Sequence, residues 1–244
     1  MKEKAIEFIK GLTAKQIIIG IALAAVIIYI IRLNSLMYMV YTIPGLLIAI
    51  TIHEFAHALI AKKYGDDTAK DRITLNPFKH IDWIGLLSLF ICKIGWGKPV
   101  EINPDNFKNK DIPVERAEAI VALAGPAANF IMAVILVVIM KVLLGLGIVG
   151  LTRNYMLFEM IRIAALMNIG MAVFNLIPIP PLDGYTIIKP FLSKNIKRFV
   201  DRNQVYIFIG LILMVYLLPT TIVSGLYNYA TNIIQNIGYT IVGL

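Results

Sequence analysis

The stretch that decides the fold is IPGLLIAITIHEFAHALIAKK, from Ile43 to Lys63. It is long and apolar enough for a membrane helix, since about 20 apolar residues cross a bilayer. Three ionisable residues, His53, Glu54 and His57, nevertheless lie within it. A charged side chain at the centre of a span costs about 2.5–3.5 kcal/mol on insertion scales, so such groups usually face a protein interior or a cavity. The stretch therefore predicts a membrane helix that carries a buried polar site.

The composition places the whole chain in a lipid bilayer. Of the 244 residues, 59% are hydrophobic and 16% are charged, which is too apolar for an ordinary soluble domain. The net charge is +8, but the basic residues lie at the ends of the apolar stretches, as topology signals and lipid-headgroup contacts do. Nucleic acid is therefore not an expected partner. Cys92 is the only cysteine, which excludes an intrachain disulfide and a cysteine-rich metal site.

The apolar stretches predict a membrane all-α fold, a polytopic bundle of about five to six transmembrane helices. The expected spans are residues 16–31, 36–61, 117–149, 155–177 and 203–219. The first could be a signal peptide, but no small-x-small cleavage site follows it, so an uncleaved span is expected. Residues 220–244 suit either a sixth span or an interfacial helix. We interpret residues 1–244 as a single integral membrane domain, with an N-terminal transmembrane helix (1–35), a core (36–190) and C-terminal helices (191–244).

The topology depends on WIGLLSLFICKIGW, residues 83–96, which is too short to cross the bilayer. If this segment enters the membrane and returns, eighteen of the 23 basic residues share one side. The positive-inside rule makes that side the cytosol and places the amino terminus there, in a multi-pass protein of the plasma membrane. Non-helical backbone at membrane depth must be covered by protein or line a cavity. Residues 83–103 are therefore expected to line a site.

The histidine spacing predicts a metal site. His53 and His57 are four residues apart, which places both rings on one face of an α-helix. Two neutral imidazoles in this arrangement can bind one Zn²⁺ at about 2.0–2.1 Å. Glu54 can act as general base on a water whose pKa the metal lowers towards ~7, which is the chemistry of an H-E-x-x-H motif. Counted back from Lys62, the site lies ~8 to ~14 Å below the cytosolic end of the helix, in the cytosolic half of the bilayer.

The predicted third ligand is Asp183, in FNLIPIPPLDGY, because a catalytic zinc usually has three protein ligands and a water. Pro178, Pro180 and Pro181 cannot continue a helix, so the fourth stretch must unwind there. Unwound backbone at membrane depth again implies a site. A surface turn is the alternative for Asp183. His80, the remaining histidine, lies in a polar loop, where a surface or loop-bonding role is expected instead of metal ligation.

Several motifs together resemble the site-2 protease family of intramembrane zinc metalloproteases. They are HEFAH in one span, AGPAAN in a later span and NLIPIPPLDG in the next, with LNPFKHID and GWGKPVEINP between them. The resemblance covers residues ~36–190 and points to the compact prokaryotic branch that lacks an inserted PDZ domain.

The resemblance implies a zinc metalloendopeptidase that cleaves transmembrane protein substrates near the cytosolic face, with one Zn²⁺ per chain. It makes residues 36–190 the catalytic core. It implies metal ligation by His53, His57 and Asp183, with Glu54 as the catalytic acid/base. It also implies a small membrane re-entrant β-loop between the first two core helices. The sequence carries no signal for an oligomeric state.

Asn129, in GPAAN, and Asn175, in FNLIP, lie inside apolar stretches and are further candidates for catalysis. A side-chain amide can donate to a developing oxyanion or hold an extended substrate, and the resemblance supports an active-site position for both. Helix–helix hydrogen bonding is the alternative, and Gly125 beside Asn129 suits close packing equally well. The strand-like KPVEIN, residues 98–103, either pairs with an unwound substrate or only braces the core.

Two other functions are weighed against proteolysis. A transporter or metal-binding scaffold could use the same ligands, but it should show polar groups along a through-path and often an inverted repeat. Neither is seen, and a pure metal carrier does not require Glu54. An inactive relative that only holds substrates is the other alternative to proteolysis, and the intact Glu54 argues against it as well.

Overall fold

The computed structural model describes residues 13, 16, 19–20, 35–92, 95–108, 111–150, 154–217, 225 and 232. Six α-helices lie in this part of the chain: α1 (Ser35–Lys63), α2 (Trp83–Cys92), α3 (Val114–Gly145), α4 (Tyr155–Asn175), α5 (Asp183–Ile188) and α6 (Lys194–Leu217). Four short 3₁₀ turns separate them, at Lys70–Arg72, Pro77–Lys79, Pro104–Asn106 and Lys189–Phe191. The predicted first span and the tail after residue 219 lie outside the described residues, apart from isolated positions.

Three helices are long and apolar enough to cross a membrane, over Tyr41–Lys63 in α1, Val114–Gly145 in α3 and Tyr155–Asn175 in α4. They coincide with the predicted second, third and fourth stretches, which confirms the membrane all-α class for this part of the chain. The predicted fifth stretch falls within α6 as far as Leu217, and its crossing stays a prediction.

The bundle core forms where α1, α3 and α4 pack against one another. Its buried side chains come from α3 and α4, with Ile48 of α1 packed against them: Ala133, Leu136, Val137, Ala164, Ala165 and Ile169. Small residues allow close approach, as is usual between helices in membranes. At Gly45 of α1, a β-carbon would lie 2.8 Å from the Cα of Ala164, so this crossing requires glycine.

The connection between α1 and α3 forms a loop in which residues 80–81 and residues 97–98 lie side by side. An isolated antiparallel bridge joins Ile81 to Gly97, and the Lys98 amide donates to the His80 carbonyl at 2.8 Å. Between these positions lies α2, whose ten residues extend about 15 Å, or half of the ~30 Å hydrocarbon core.

The predicted re-entrant β-loop is not confirmed, because the described part of this connection holds one bridge and no strand. Residues 83–92 are helical for a local reason. The Asp82 carboxylate accepts hydrogen bonds from the amides of Ile84 and Gly85 at 2.8 and 2.9 Å. It therefore caps the first turn of α2, as aspartate commonly does at a helix start.

A buried carboxylate just after α1 forms hydrogen bonds to the C-terminal part of this connection. Asp66 is 1% exposed and accepts hydrogen bonds from the Asn103 amide at 2.7 Å and the Asn106 side chain at 3.0 Å. The Lys108 amide also donates to the Tyr64 carbonyl at 2.8 Å. Residues 64–66 and 103–108 therefore lie together at one end of α1.

The pKa of Asp66 lies below its usual value. Burial alone would raise it, but the hydrogen bonds from Asn106, Thr68 and Asn103 stabilise the charged form and outweigh that effect.

We expect Asp66→Asn to lower the free energy of unfolding by about 1–3 kcal/mol at neutral pH, because an amide group would face donors that need an acceptor. Since the folded-state pKa lies below the unfolded value of about 3.9, the carboxylate contributes stability above that pH and loses it as the pH falls through the lowered pKa. Thermal unfolding in detergent across a pH series measures the difference. Asp67→Asn, at the exposed neighbour, is the matched control. Equal stability of Asp66→Asn and wild type at neutral pH would contradict the role of this carboxylate.

Candidate active site

Helix α1 presents both histidines to α3. His53 and His57 are each 6% exposed, and their side chains share one face because they are four residues apart. The Nδ1 atom of His57 lies 2.7 Å from the Val121 carbonyl oxygen, and that of His53 lies 2.6 Å from Oδ1 of Asn129. Both rings therefore bond to α3 through Nδ1, which leaves the Nε2 atom of each ring for another partner.

Asp183 meets these Nε2 atoms because the chain turns back after α4. The helix ends at Asn175, just before the prolines at 178, 180 and 181, and α5 begins at Asp183 itself. The turn requires glycine next, since a β-carbon on Gly184 would lie 2.4 Å from the carbonyl oxygens of Leu176 and Ile177. Oδ2 of Asp183 lies 3.1 Å from His53 Nε2 and 3.4 Å from His57 Nε2.

The three side chains form a set of electron-pair donors suited to a metal ion. One ligand atom from each of His53, His57 and Asp183 lies within 4.8 Å of the others. A carbonyl oxygen only accepts hydrogen bonds, so each neutral ring carries its proton on Nδ1 and has a lone pair on Nε2. The Nε2 atoms are 3.1 Å apart, and buried Oδ2 has no hydrogen-bond donor. Three lone-pair donors that lie this close together favour the binding of a cation. Two imidazoles with one carboxylate match the ligands of a catalytic zinc.

Gly125 leaves room for the two rings. A β-carbon at this position would lie 2.4 Å from His57 Nε2 and 2.7 Å from His53 Cε1. Val121, Gly125 and Asn129 are spaced by four residues, so they lie on one face of α3. This face supplies one hydrogen-bond acceptor for each histidine, Val121 before the glycine and Asn129 after it. The sequence analysis related Gly125 only to helix packing.

Glu54 is half-buried and faces the connection between α1 and α3. Its Oε2 accepts a hydrogen bond from the Val100 amide at 2.9 Å. A β-carbon on Gly97 would lie 3.7 Å from its Oε1. The segment KPVEIN, residues 98–103, therefore lies over Glu54, although it forms no strand. Arg72 holds this segment by donating to the carbonyls of Lys98 and Pro99.

His80 lies outside the metal group. It is fully buried, which excludes the surface role, and its Nε2 donates to the Thr74 carbonyl at 2.8 Å, which agrees with the predicted loop-bonding role. Burial, together with the nearby Arg72 cation, lowers the pKa of His80.

The two candidate asparagines have different surroundings. Asn129 is fully buried and bonds α1 and α4, donating from Nδ2 to the Ala49 carbonyl and to Oδ1 of Asn168, each at 2.9 Å. Both of its N–H groups are thus engaged, so it has no donor left for an oxyanion, and helix–helix hydrogen bonding is what the structure shows. Asn175 is partly buried and donates to the Met171 carbonyl of its own helix at 3.0 Å. Its catalytic role stays a prediction.

Apolar helices surround two histidines and one carboxylate that could hold a metal ion, with a glutamate beside the first histidine, which is the arrangement of a membrane metallohydrolase. The chain belongs to the site-2 protease family: the sequence model of peptidase family M50 matches residues 41–161 and 146–217. This confirms the resemblance read from the motifs, and with it the expectation of a zinc-dependent peptidase.

Relatives in bacteria and archaea agree with this assignment. The chain is 35% identical over 174 residues to YwhC of Bacillus subtilis, which is provisionally named a zinc metalloprotease; the match covers 70% of this chain and 78% of YwhC. It is 32% identical over 192 residues to Rip2 of Mycolicibacterium smegmatis, also provisionally named a zinc metalloprotease, over 74% of this chain and 67% of Rip2. The zinc metalloprotease MJ0392 of Methanocaldococcus jannaschii is 27% identical over 76% of this chain and 44% of its own length. No solved structure matches the chain with significance.

We expect Gly125→Ala to weaken zinc binding at least about tenfold, because the new methyl group would displace both imidazoles from their ligand positions. Alanine favours a helix over glycine, so a loss of zinc would not come from weaker helix formation. Zinc content after dialysis against a chelator series measures the effect. Gly145→Ala, in the same helix where a β-carbon meets nothing within 4 Å, is the control. Wild-type zinc affinity in Gly125→Ala would show that the rings do not need this space.

Proposed function

We propose that this protein is an intramembrane zinc endopeptidase that hydrolyses a peptide bond in or near a transmembrane segment of membrane-protein substrates, as in regulated intramembrane proteolysis. The observation that carries the proposal is the convergence of three lone-pair donors between apolar helices, with Glu54 beside one of them.

His53, His57 and Asp183 are the proposed zinc ligands. Bound there, zinc supplies the Lewis acidity that makes a water molecule nucleophilic near neutral pH and polarises a peptide carbonyl. The protein holds the two imidazoles by their Nδ1 atoms and brings the carboxylate to them at the start of α5.

Glu54 is the proposed general base and acid. Its Oε2 is held by the Val100 amide, which leaves Oε1 to accept the proton of the attacking water. The same carboxyl group then returns that proton to the amine that leaves when the peptide bond breaks. The adjacent position of Glu54 and His53 in the chain keeps the base within reach of the metal site.

The substrate is proposed to be extended where it is cut, because a helix buries its carbonyl groups in its own hydrogen bonds. Residues 98–103 offer backbone groups beside Glu54 that can pair with such a segment. Arg72 keeps the first two residues of this segment in place, and Asp66 holds its end at Asn103.

We further propose that the connection dips into the bilayer from the cytosolic side. Three observations support this: its two ends meet at one end of α1, α2 is too short to cross, and apolar side chains of α2 are exposed, with Trp83 at 67%, Ile84 at 71% and Leu87 at 58%. The basic residues at this end of α1 then face the cytosol of a multi-pass plasma-membrane protein.

Glu54→Gln should keep zinc and lose at least about 10²-fold in cleavage rate, because the amide keeps the shape of the side chain and cannot accept the proton. The test is co-expression, and then incubation in detergent, with single-span membrane proteins, followed by quantification of the cleaved product and of bound zinc. Glu159→Gln on α4 is the control and should cleave at the wild-type rate. A Glu54→Gln enzyme that cleaves at nearly the wild-type rate would rule out the general-base role, whereas an ion carrier would give no cleaved product from any variant.

The topology is tested with single cysteines at positions 70 and 108 in a Cys92→Ser background, labelled by an impermeant maleimide. We expect neither position to react in intact cells and both to react after permeabilisation, because both lie on the cytosolic side. A cysteine at Asn154, before α4, is the control that should react from outside. Labelling of position 108 but not of position 70 in intact cells would show that the segment crosses the membrane.

A further inference from the structure

A chain of buried amide side chains ends on one of the proposed zinc ligands. Asn168 of α4 donates from Nδ2 to the Ala164 carbonyl at 2.8 Å, and its Oδ1 accepts from Nδ2 of Asn129 at 2.9 Å. Asn129 in turn presents Oδ1 to Nδ1 of His53 at 2.6 Å. Both asparagines are fully buried, in spans where an amide is costly unless it is bonded.

Backbone carbonyls fix the direction of every bond in this chain. The Ala164 carbonyl can only accept, so Nδ2 of Asn168 must face it and Oδ1 must face Asn129. The Ala49 carbonyl of α1 likewise requires Nδ2 of Asn129, which turns Oδ1 of Asn129 towards His53. His53 must then carry its proton on Nδ1, and its Nε2 lone pair is left for a metal ion.

The two histidines obtain this tautomer in different ways. His57 donates to a backbone carbonyl of α3, that of Val121, which no side-chain substitution removes. His53 depends on an amide that could rotate or bond elsewhere if Asn168 did not hold it. The arrangement of His53 therefore requires α1, α3 and α4 to be packed together, since all three contribute to the bonds around Asn129.

We propose that Asn129 and Asn168 form a hydrogen-bonded relay that positions His53 for zinc, with Asn168 acting only through Asn129. This inference rests on the proposed ligation of zinc by His53. It gives Asn129 a positioning role in place of donation to an oxyanion, and it assigns a role to Asn168, which the sequence analysis did not single out. Partners of this kind, which bond to a metal-ligating histidine, typically change metal affinity by about 10- to 100-fold when they are removed.

The test measures the zinc affinity of the full-length protein in detergent by chelator competition, together with the visible absorption of the cobalt-substituted protein and the thermal unfolding of the metal-free protein. The variants are Asn129→Ala, Asn168→Leu, which keeps the branching and the number of side-chain heavy atoms, and the double variant. Asn203→Ala is the matched control, because that amide donates to a carbonyl of its own helix α6. His53→Ala is the reference for loss of a ligand.

We expect Asn129→Ala to bind zinc about 10- to 100-fold more weakly, and Asn168→Leu about tenfold more weakly, with altered cobalt absorption in both. The double variant should bind no more weakly than Asn129→Ala, because Asn168 has nothing left to act on; independent structural damage would instead add. Asn203→Ala should match the wild type in both zinc affinity and cobalt spectrum.

Zinc affinity within about threefold of the wild type in Asn129→Ala, a difference below 1 kcal/mol, would overturn the relay, provided that His53→Ala loses zinc. Additive losses in the double variant would overturn it as well. If His53→Ala itself keeps zinc with wild-type affinity, the ligand assignment of the proposed function fails instead. Because Asn168→Leu fills the site of the amide without leaving a cavity, it tests the relay even if Asn129→Ala does not fold.

Discussion

The structure depends on bringing three electron-pair donors together in a place where water is scarce. The two Nε2 atoms lie 3.1 Å apart with the Asp183 carboxylate beside them. Lone pairs repel and buried polar atoms need partners, so this arrangement suits a cation bound between the three side chains. The rest of the bundle supplies what that geometry requires. One face of α3 accepts the hydrogen bonds from both Nδ1 atoms, and Gly125 between the two acceptors leaves space for the rings.

The prolines after α4 also help to bring the three donors together, because they position Asp183. They end the helix at Asn175, and the short turn that follows returns Asp183 to the histidines. The glycine after Asp183 permits this turn because its backbone passes within contact distance of two carbonyl groups. A continuous helix would have carried the carboxylate away from α1 and left both imidazoles without their third partner.

In the proposed function, the connection between α1 and α3 adds the backbone groups that bind the substrate beside the metal. No strand forms over residues 98–103, yet this segment is held at defined points by Arg72, Asp66 and the Glu54 carboxylate. Polar bonds of this kind fix an irregular segment without a β-sheet, and they leave its remaining backbone groups for an extended partner. The proposed chemistry thus rests on a rigid metal site in the helices and on a lining segment that polar side chains hold against it.

The sequence by itself determined the features that local geometry controls. A spacing of four residues puts His53 and His57 on one helix face in any context, and the closely spaced Pro178, Pro180 and Pro181 cannot continue a hydrogen-bonded helix. The membrane class, the three long spans, the predicted ligands His53, His57 and Asp183 and the family resemblance follow from such local patterns.

Only the tertiary structure decided which groups form hydrogen bonds to the two histidines. Asn129 meets His53 across 76 positions, and Asn168 meets Asn129 across 39. An amide in an apolar span has several possible partners, and helix packing, which the spacing of residues within one helix does not encode, selects among them. The same holds for the connection between α1 and α3, where Asp82 caps a short helix and polar side chains hold residues 98–103, and where the expected β-loop is not confirmed.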